Sequence, residues 1–191
     1  MTHPGVGPVT ALAAGEFRAA DGFTDVAVGV AGGGGNYLLI FDDAARGFKN
    51  AVVQQPLAEP ATGIEFGNLD DDPFMDVAVT EGSEIVVVHG WGRKEQVTPE
   101  SRVEKVKVGG SLRGLAVGEF AWDRDGNSEM AALSDDGAVH IIKNAKSDNR
   151  PFTDAEAAQR TRSNLKLNRV SENVDVESVP SWKPGKAKGW I

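Results

Sequence analysis

The sequence predicts an all-β protein made of repeated units, and three observations support this prediction. A glycine with a phenylalanine one or two positions away recurs at Gly15, Gly67 and Gly118, which lie 52 and 51 residues apart. Each glycine is followed by an acidic loop and then by a short run rich in Val, Ala or Leu. No stretch of the first 145 residues keeps an apolar period of 3.6 over three turns, which argues against helices there.

The strands of each unit can be assigned in order. A first strand leads into the recurring glycine, and a second begins at the acidic residue after the loop. The predicted second and third strands are 25–30 and 37–41, then 76–80 and 85–89, then 129–133 and 138–143. Their Val and Ile content and the turn residues between them are typical of strands. More polar segments at 50–55 and 102–108 are the predicted outer strands.

Four short antiparallel strands in about 50 residues are typical of one β-propeller blade. The predicted blades span approximately residues 9–55, 56–108 and 109–146. A propeller needs at least about four blades, so three of them require a further unit. That unit is either a degenerate fourth blade of this chain or is supplied by other sequence or another copy. An open series of blades also predicts self-association through unpaired strand edges.

The last part of the chain departs from the repeat. Residues 147–164 predict a loop and a short helix near 153–162, because Thr153-Asp154-Ala155-Glu156 is a capping-box pattern. Residues 165–191 are either the degenerate fourth unit, with strands at 165–170 and 174–179, or a tail.

Composition excludes several classes of function. The 191 residues carry a net charge of −8, which argues against a nucleic-acid partner and is compatible with binding hard cations. The absence of Cys excludes disulfides, thiolate metal ligands and a Cys nucleophile. The longest apolar run, 85–88, is far too short to span a membrane. The N-terminus has no signal-peptide pattern, so the protein either stays inside the cell or is a processed piece of an exported one.

The middle acidic loop has the ligand spacing of a calcium site. Oxygen-bearing side chains occupy positions 1, 3, 5 and 9 of the loop, namely Asn68, Asp70, Asp72 and Asp76, and the backbone carbonyl of Phe74 occupies position 7. Without an ion, crowded carboxylates would raise one another's pKa. The alternative is that the aspartates simply cap turns, as Asp often does.

The repeat units resemble FG-GAP repeats, and similar bacterial repeats of the VCBS type, over about residues 9–144. The matching segments are Phe-Gly-Asn-Leu-Asp-Asp-Asp followed by Asp-Val-Ala-Val, and Gly-Glu-Phe followed by Asp-Gly and Asp-Val-Ala-Val. The resemblance implies integrin-like propeller blades, Ca²⁺ in the acidic loops, and a role in adhesion or ligand binding outside the cell or in its envelope. In the third loop it implies ligation by Asp123, Asp125, Glu129 and the Asn127 carbonyl. Two features depart from the pattern. Pro73 replaces the usual Gly at position 6 of the middle loop, and the first loop keeps only Asp21, Gly22 and Asp25.

Three functional hypotheses follow. The first is a non-catalytic module that binds a protein or carbohydrate ligand, with blade loops stabilised by Ca²⁺. The second is a propeller hydrolase or lyase in which an acidic pair such as Asp71–Asp72 acts as acid and base. The third is a structural part of a larger propeller. His89 and His140 are also 51 residues apart, but alignment of the third strands places Lys143, not His140, opposite His89, so we do not expect a histidine pair.

Overall fold

The chain folds into short antiparallel strands and, among the described residues, one α-helix. The computed structural model describes residues 7–18, 23–42, 44, 48, 51–121, 124, 126–144 and 150–167. The first sheet contains β1 (Val9–Gly15), β2 (Asp25–Gly32), β3 (Gly35–Phe41) and β4 (Val53–Leu57). The second contains β5 (Ala61–Gly67), β6 (Asp76–Glu81), β7 (Glu84–Val88) and β8 (Val103–Lys107), with a 3₁₀ turn at Pro99–Arg102 before β8. The third contains β9 (Leu112–Gly118), β10 (Glu129–Ser134) and β11 (Val139–Ile142).

Within each sheet the strands pair in chain order, and all neighbours are antiparallel. The predicted second and third strands of every unit are confirmed to within two residues at each end. The outer strand of the first sheet lies later than the predicted 50–55, so the first unit continues to Leu57. Pro56 is tolerated in this strand because β4 is at the edge of its sheet.

The first strands bring the three sheets side by side, because β5 lies next to β1 on one side and next to β9 on the other. One apolar core lies between the first and second sheets and includes Ile40 and Val79. A second core lies between the second and third sheets and includes Val87 and Met130. Since both of its faces are covered, β6 is buried along its whole length. No closed ring of sheets is detected among the described strands.

The helix α1 (Asp154–Leu167) belongs to a separate compact unit that begins at Arg150. The predicted capping box is confirmed, since the Thr153 backbone N–H donates to Glu156 Oε2 (2.8 Å) and the Glu156 N–H donates to Thr153 Oγ1 (3.4 Å). The predicted strand from residue 165 is wrong for 165–167, which continue the helix because no Gly or Pro ends it earlier. The remainder of the predicted fourth unit lies outside the described residues. No helix in the described part of the chain is long and apolar enough to cross a membrane.

Candidate cation site

Each sheet has a buried acidic residue at the start of its second strand. These residues are Asp25, Asp76 and Glu129. Each carboxylate accepts a backbone N–H from the residue two positions after the recurring glycine: Phe17 (2.9 Å), Leu69 (2.9 Å) and Phe120 (2.6 Å), respectively. The repeated acidic residue therefore closes the corner between the first and second strands of its own sheet.

In the second sheet this corner also holds an imidazole. The Nδ1 atom of His89 lies 3.3 Å from Asp76 Oδ1 and 3.1 Å from Asp70 Oδ2. Asp76 Oδ1 additionally accepts the backbone N–H of Gly90 (3.0 Å). On the other side of the ring, His89 Nε2 lies 3.5 Å from Glu104 Oε2. Three carboxylates thus surround one histidine.

These carboxylates determine the charge of His89. The hydrogen bond to Asp76 is the largest influence and, with the charges of Asp76 and Asp70, raises the pKa of His89 from 6.5 to about 9 against the opposing effect of burial. The ring is therefore protonated at neutral pH, and the corner of the second sheet contains a positive charge supplied by the protein itself.

The remaining aspartates of the middle loop shape its backbone. Asp70 Oδ1 accepts the N–H of Asp72 (2.9 Å), and Asp72 Oδ1 accepts the N–H of Phe74 (2.8 Å). These contacts are side-chain turns of the kind that Asp commonly forms. Burial, followed by the charges of Asp70 and Asp76, raises the pKa of Asp72. This is the direction that crowded carboxylates predict.

The third acidic loop is joined to the second. The Asn127 side chain is buried and donates from Nδ2 to Asp71 Oδ1 (2.9 Å), and the Ser128 N–H donates to the Asn68 carbonyl (2.7 Å). Asn68 Nδ2 also lies 3.5 Å from Asn127 Oδ1. Asn127, predicted to offer its carbonyl to a metal, thus links the loops through its side chain. The predicted ligands Asp123 and Asp125 lie outside the described residues.

Replacement of Asn127 with Ala should lower the free energy of unfolding by about 1 kcal/mol, because Asp71 and Asn68 both lose a hydrogen-bond partner at a partly solvated position. Urea denaturation of the purified protein measures this loss. Asp71→Asn is the matched control, since its side-chain oxygen can still accept from Asn127. A loss as large in Asp71→Asn as in Asn127→Ala would contradict the proposed link.

The residue that follows the third strand of each sheet is ionisable, and its charge differs from sheet to sheet. The equivalent positions, fixed by strand pairing, are Asp42, His89 and Lys143. In the first sheet the residue is acidic, and two arginines compensate: Arg18 lies 3.3 Å and Arg93 2.6 Å from the Asp42 carboxylate. Burial, followed by the charge of Asp25, still raises the pKa of Asp42. Basic side chains of the chain therefore lie beside the acidic corners of the first and second sheets.

Sequence reasoning did not include His89 in the site, although the third-strand alignment already placed it opposite Lys143. His140, at the same sequence interval from His89, contacts Ser134 Oγ through its Nε2 atom at 3.2 Å. Strand pairing explains why His89 belongs to the site. Val88, the last residue of β7, pairs with Val77 of β6, so His89 lies across from Asp76.

The side-chain atoms that could bind a metal at the middle corner are carboxylate oxygens and one imidazole nitrogen. Ligand atoms of Asp70, Asp76 and His89 all lie within 4.8 Å of one another. Ca²⁺ takes oxygen ligands, whereas an imidazole nitrogen suits transition ions such as Zn²⁺. The Asp70 and Asp76 carboxylates fit Ca²⁺ in charge and donor type, and His89 does not. In the arrangement observed, the imidazolium lies between the two carboxylates that a calcium ion would bind.

A cavity of about 290 Å³ adjoins this corner between the second and third sheets. Its apolar lining includes Val87 and Met130, and its polar lining includes His89, Glu104 and Lys143. The cavity therefore offers an apolar surface together with charged groups of both signs.

No protein-family model matches this sequence, and neither does any curated protein. The resemblance to FG-GAP repeats therefore depends on the repeated residues themselves.

Proposed function

We propose that this chain is a non-catalytic β-propeller segment that binds a protein or carbohydrate ligand and is stabilised at its middle corner by a cation. Three observations support the propeller arrangement: each sheet is a meander, successive sheets pack through their first strands, and each second strand begins with a buried acidic residue. This pattern matches blades that follow one another around an axis.

The observation that most favours binding over catalysis is the use of the acidic residues. Asp25, Asp76 and Glu129 each accept backbone N–H groups of their own corner instead of converging on one centre. The acidic pair considered for a hydrolase is also engaged, since Asp71 accepts from Asn127 and Asp72 accepts from Phe74. Carboxylates whose oxygens already accept hydrogen bonds from the protein are poorly placed to transfer protons to a substrate.

The cavity beside His89 is the proposed ligand site, because Glu104 and Lys143 place hydrogen-bonding groups of opposite charge next to an apolar surface. A glycan panel tests this directly. Wild-type protein is expected to retain a subset of glycans without cleaving them, and a Glu104→Gln, Lys143→Gln double variant to lose them. Lys94→Gln, at an exposed turn, is the control. Cleavage of any retained glycan, detected by mass spectrometry, would replace this proposal with the hydrolase hypothesis.

Calcium binding at the middle corner should appear as a stability change. A bound ion stabilises by RT ln(1 + [Ca²⁺]/Kd), which is about 1.4 kcal/mol at ten times Kd. Melting curves at about 1 mM Ca²⁺, the range of extracellular modules, and with a chelator measure the shift. Asp70→Asn should abolish it, and Asp71→Asn, the adjacent residue bonded to Asn127, should not. Identical melting of the wild-type protein in both conditions would exclude calcium.

His89→Gln separates the two kinds of metal. The substitution removes a positive charge from between Asp70 and Asp76 and leaves their oxygens in place. Ca²⁺ should therefore bind the variant more tightly than the wild-type protein at neutral pH. Zn²⁺, if it uses the imidazole nitrogen, should instead lose affinity. Isothermal titration of each metal into both proteins distinguishes these results.

A further inference from the structure

The second sheet has both of its faces buried, one against the first sheet and one against the third. The first and third sheets each have one corresponding face that points away from the second sheet. Ala27 of β2 packs in the core shared with the second sheet, and Ala78 of β6 packs in the core shared with the third. The equivalent residue of the third sheet is Ala131, whose strand partners Ala116 and Ile141 are exposed. Among the described residues, this face of the third sheet has no neighbouring sheet.

Among the described residues, the large exposed apolar side chains belong to the first and third sheets or to the loops beside them. Leu12 of β1 is 65% exposed, and Val139 and Ile141 of β11 are 63% and 49% exposed. No large apolar side chain of the fully described range 51–111 is exposed in this way. Contiguous exposed apolar surface commonly marks an interaction site.

The first strands show which partner fits this surface. Within the chain, glycines of one first strand receive side chains of the next sheet: a Cβ on Gly15 would lie 2.5 Å from Phe66, and one on Gly67 would overlap Val117. In the same way, a Cβ on Gly63 would lie 3.1 Å from the Leu115 backbone nitrogen and 3.2 Å from its Cβ. These glycines leave room for a side chain of the following sheet, and we call each such position a socket.

The corresponding sockets of the third sheet are open among the described residues. Around Gly118, the nearest neighbour of an added Cβ is Phe120 (3.6 Å), in the loop that follows β9, and around Gly114 it is Leu133 (3.9 Å) of the same sheet. In the repeat, the side chains that fill such sockets lie one and three residues before the next recurring glycine, as Val117 and Leu115 do before Gly118.

In the first sheet those positions are Ala14 and Leu12, and both are exposed. Leu12 pairs with Val28, so it points to the face opposite the core that contains Ala27. On the face opposite the second sheet, the first sheet thus carries exposed side chains at the two positions that the sockets of the third sheet would receive. Farther across that face, Val30, Leu39 and Phe41 are buried in a small cluster of their own.

We propose that the third sheet of one copy of this chain packs against the first sheet of a second copy, with Leu12 entering the socket at Gly114 and Ala14 the socket at Gly118. This inference rests on the propeller arrangement proposed above. Because the two surfaces differ, the contact is head-to-tail, and two such contacts related by a two-fold axis close a ring. Two copies then supply six sheets.

Sedimentation velocity over a wide concentration range tests the association. The wild-type protein is expected to reach twice the 20.2 kDa mass of one chain. Leu12→Asp and Ile141→Asp should each sediment as monomers, with unchanged circular dichroism because both side chains are exposed. Lys94→Gln changes the net charge by the same amount at an exposed turn of the second sheet and should remain dimeric.

Mixing the two variants distinguishes this contact from others. A Leu12→Asp chain keeps an intact third sheet and an Ile141→Asp chain keeps an intact first sheet, so the mixture should recover a dimer through one contact. A wild-type monomer at all concentrations, or a dimer insensitive to both substitutions, would overturn the proposal. Neither result affects the calcium melting test, which examines the cation site independently.

Discussion

Asp76→Ala should lower the free energy of unfolding by about 3–5 kcal/mol, as expected when one partner of a buried charged pair is removed. The Asp76 side chain is fully buried, and one oxygen accepts the Leu69 N–H while the other accepts from Gly90 and lies beside His89. Its removal leaves two backbone donors without an acceptor and one charged imidazole without its nearest buried partner. Chemical denaturation in urea measures the loss.

Two variants determine which part of this effect comes from the corner. Asp76→Asn keeps one acceptor oxygen and removes the charge, so its cost should be smaller than that of Asp76→Ala. Asp72→Ala removes a carboxylate of the same loop that is partly exposed, accepts the Phe74 N–H and lies 3.9 Å from Arg102 Nη1. It should cost about 1 kcal/mol. If Asp76→Ala cost no more than Asp72→Ala, the corner carboxylate would not have the structural role assigned to it.

Much of the fold could be predicted from the sequence because its signals are local. The recurring glycine, the acidic residue about ten positions later and the short β-branched runs specify a strand, a corner and a second strand without reference to distant residues. The outer strand was displaced because an edge strand carries weaker packing constraints and accommodates Pro56. At 165–167 the alternation of Leu and Lys is compatible with either a strand or a helix, and continuation of α1 decided between them.

The site was harder to predict because spacing does not show which lone pairs are free. Asp76 occupies the last position of a calcium loop, yet both of its oxygens already accept hydrogen bonds from the protein. Glu129 is likewise directed to the N–H groups of Phe120 and Ala121. His89 joins the site only through the pairing of β6 with β7, which a scan of the loop sequence does not reveal.

In the presence of a chelator, stability should decrease by about 2 kcal/mol as the pH rises from 6.5 to beyond 9. The pKa of His89 is raised from 6.5 to about 9 in the folded protein, chiefly by its hydrogen bond to Asp76. A raised pKa stabilises the folded state fully below the unfolded value, and this contribution is lost as the pH rises through the folded value. Each pKa unit corresponds to about 1.4 kcal/mol, and solvent at the partly exposed ring reduces the total.

Among the described residues, the ionisable groups in contact with the ring are acidic: Asp70 and Asp76 at Nδ1 and Glu104 at Nε2. Lys143 lines the same cavity as the ring. Loss of the proton therefore leaves two carboxylates close together without the charge between them. His89→Gln should show a flat stability profile over the same range, and because both proteins keep His3 and His140, the difference between the two profiles isolates His89. Parallel profiles would mean that His89 does not hold this corner together through its charge. A difference confined to pH 6.5–9 would instead identify the imidazolium as the cation that the middle loop uses when no metal is bound.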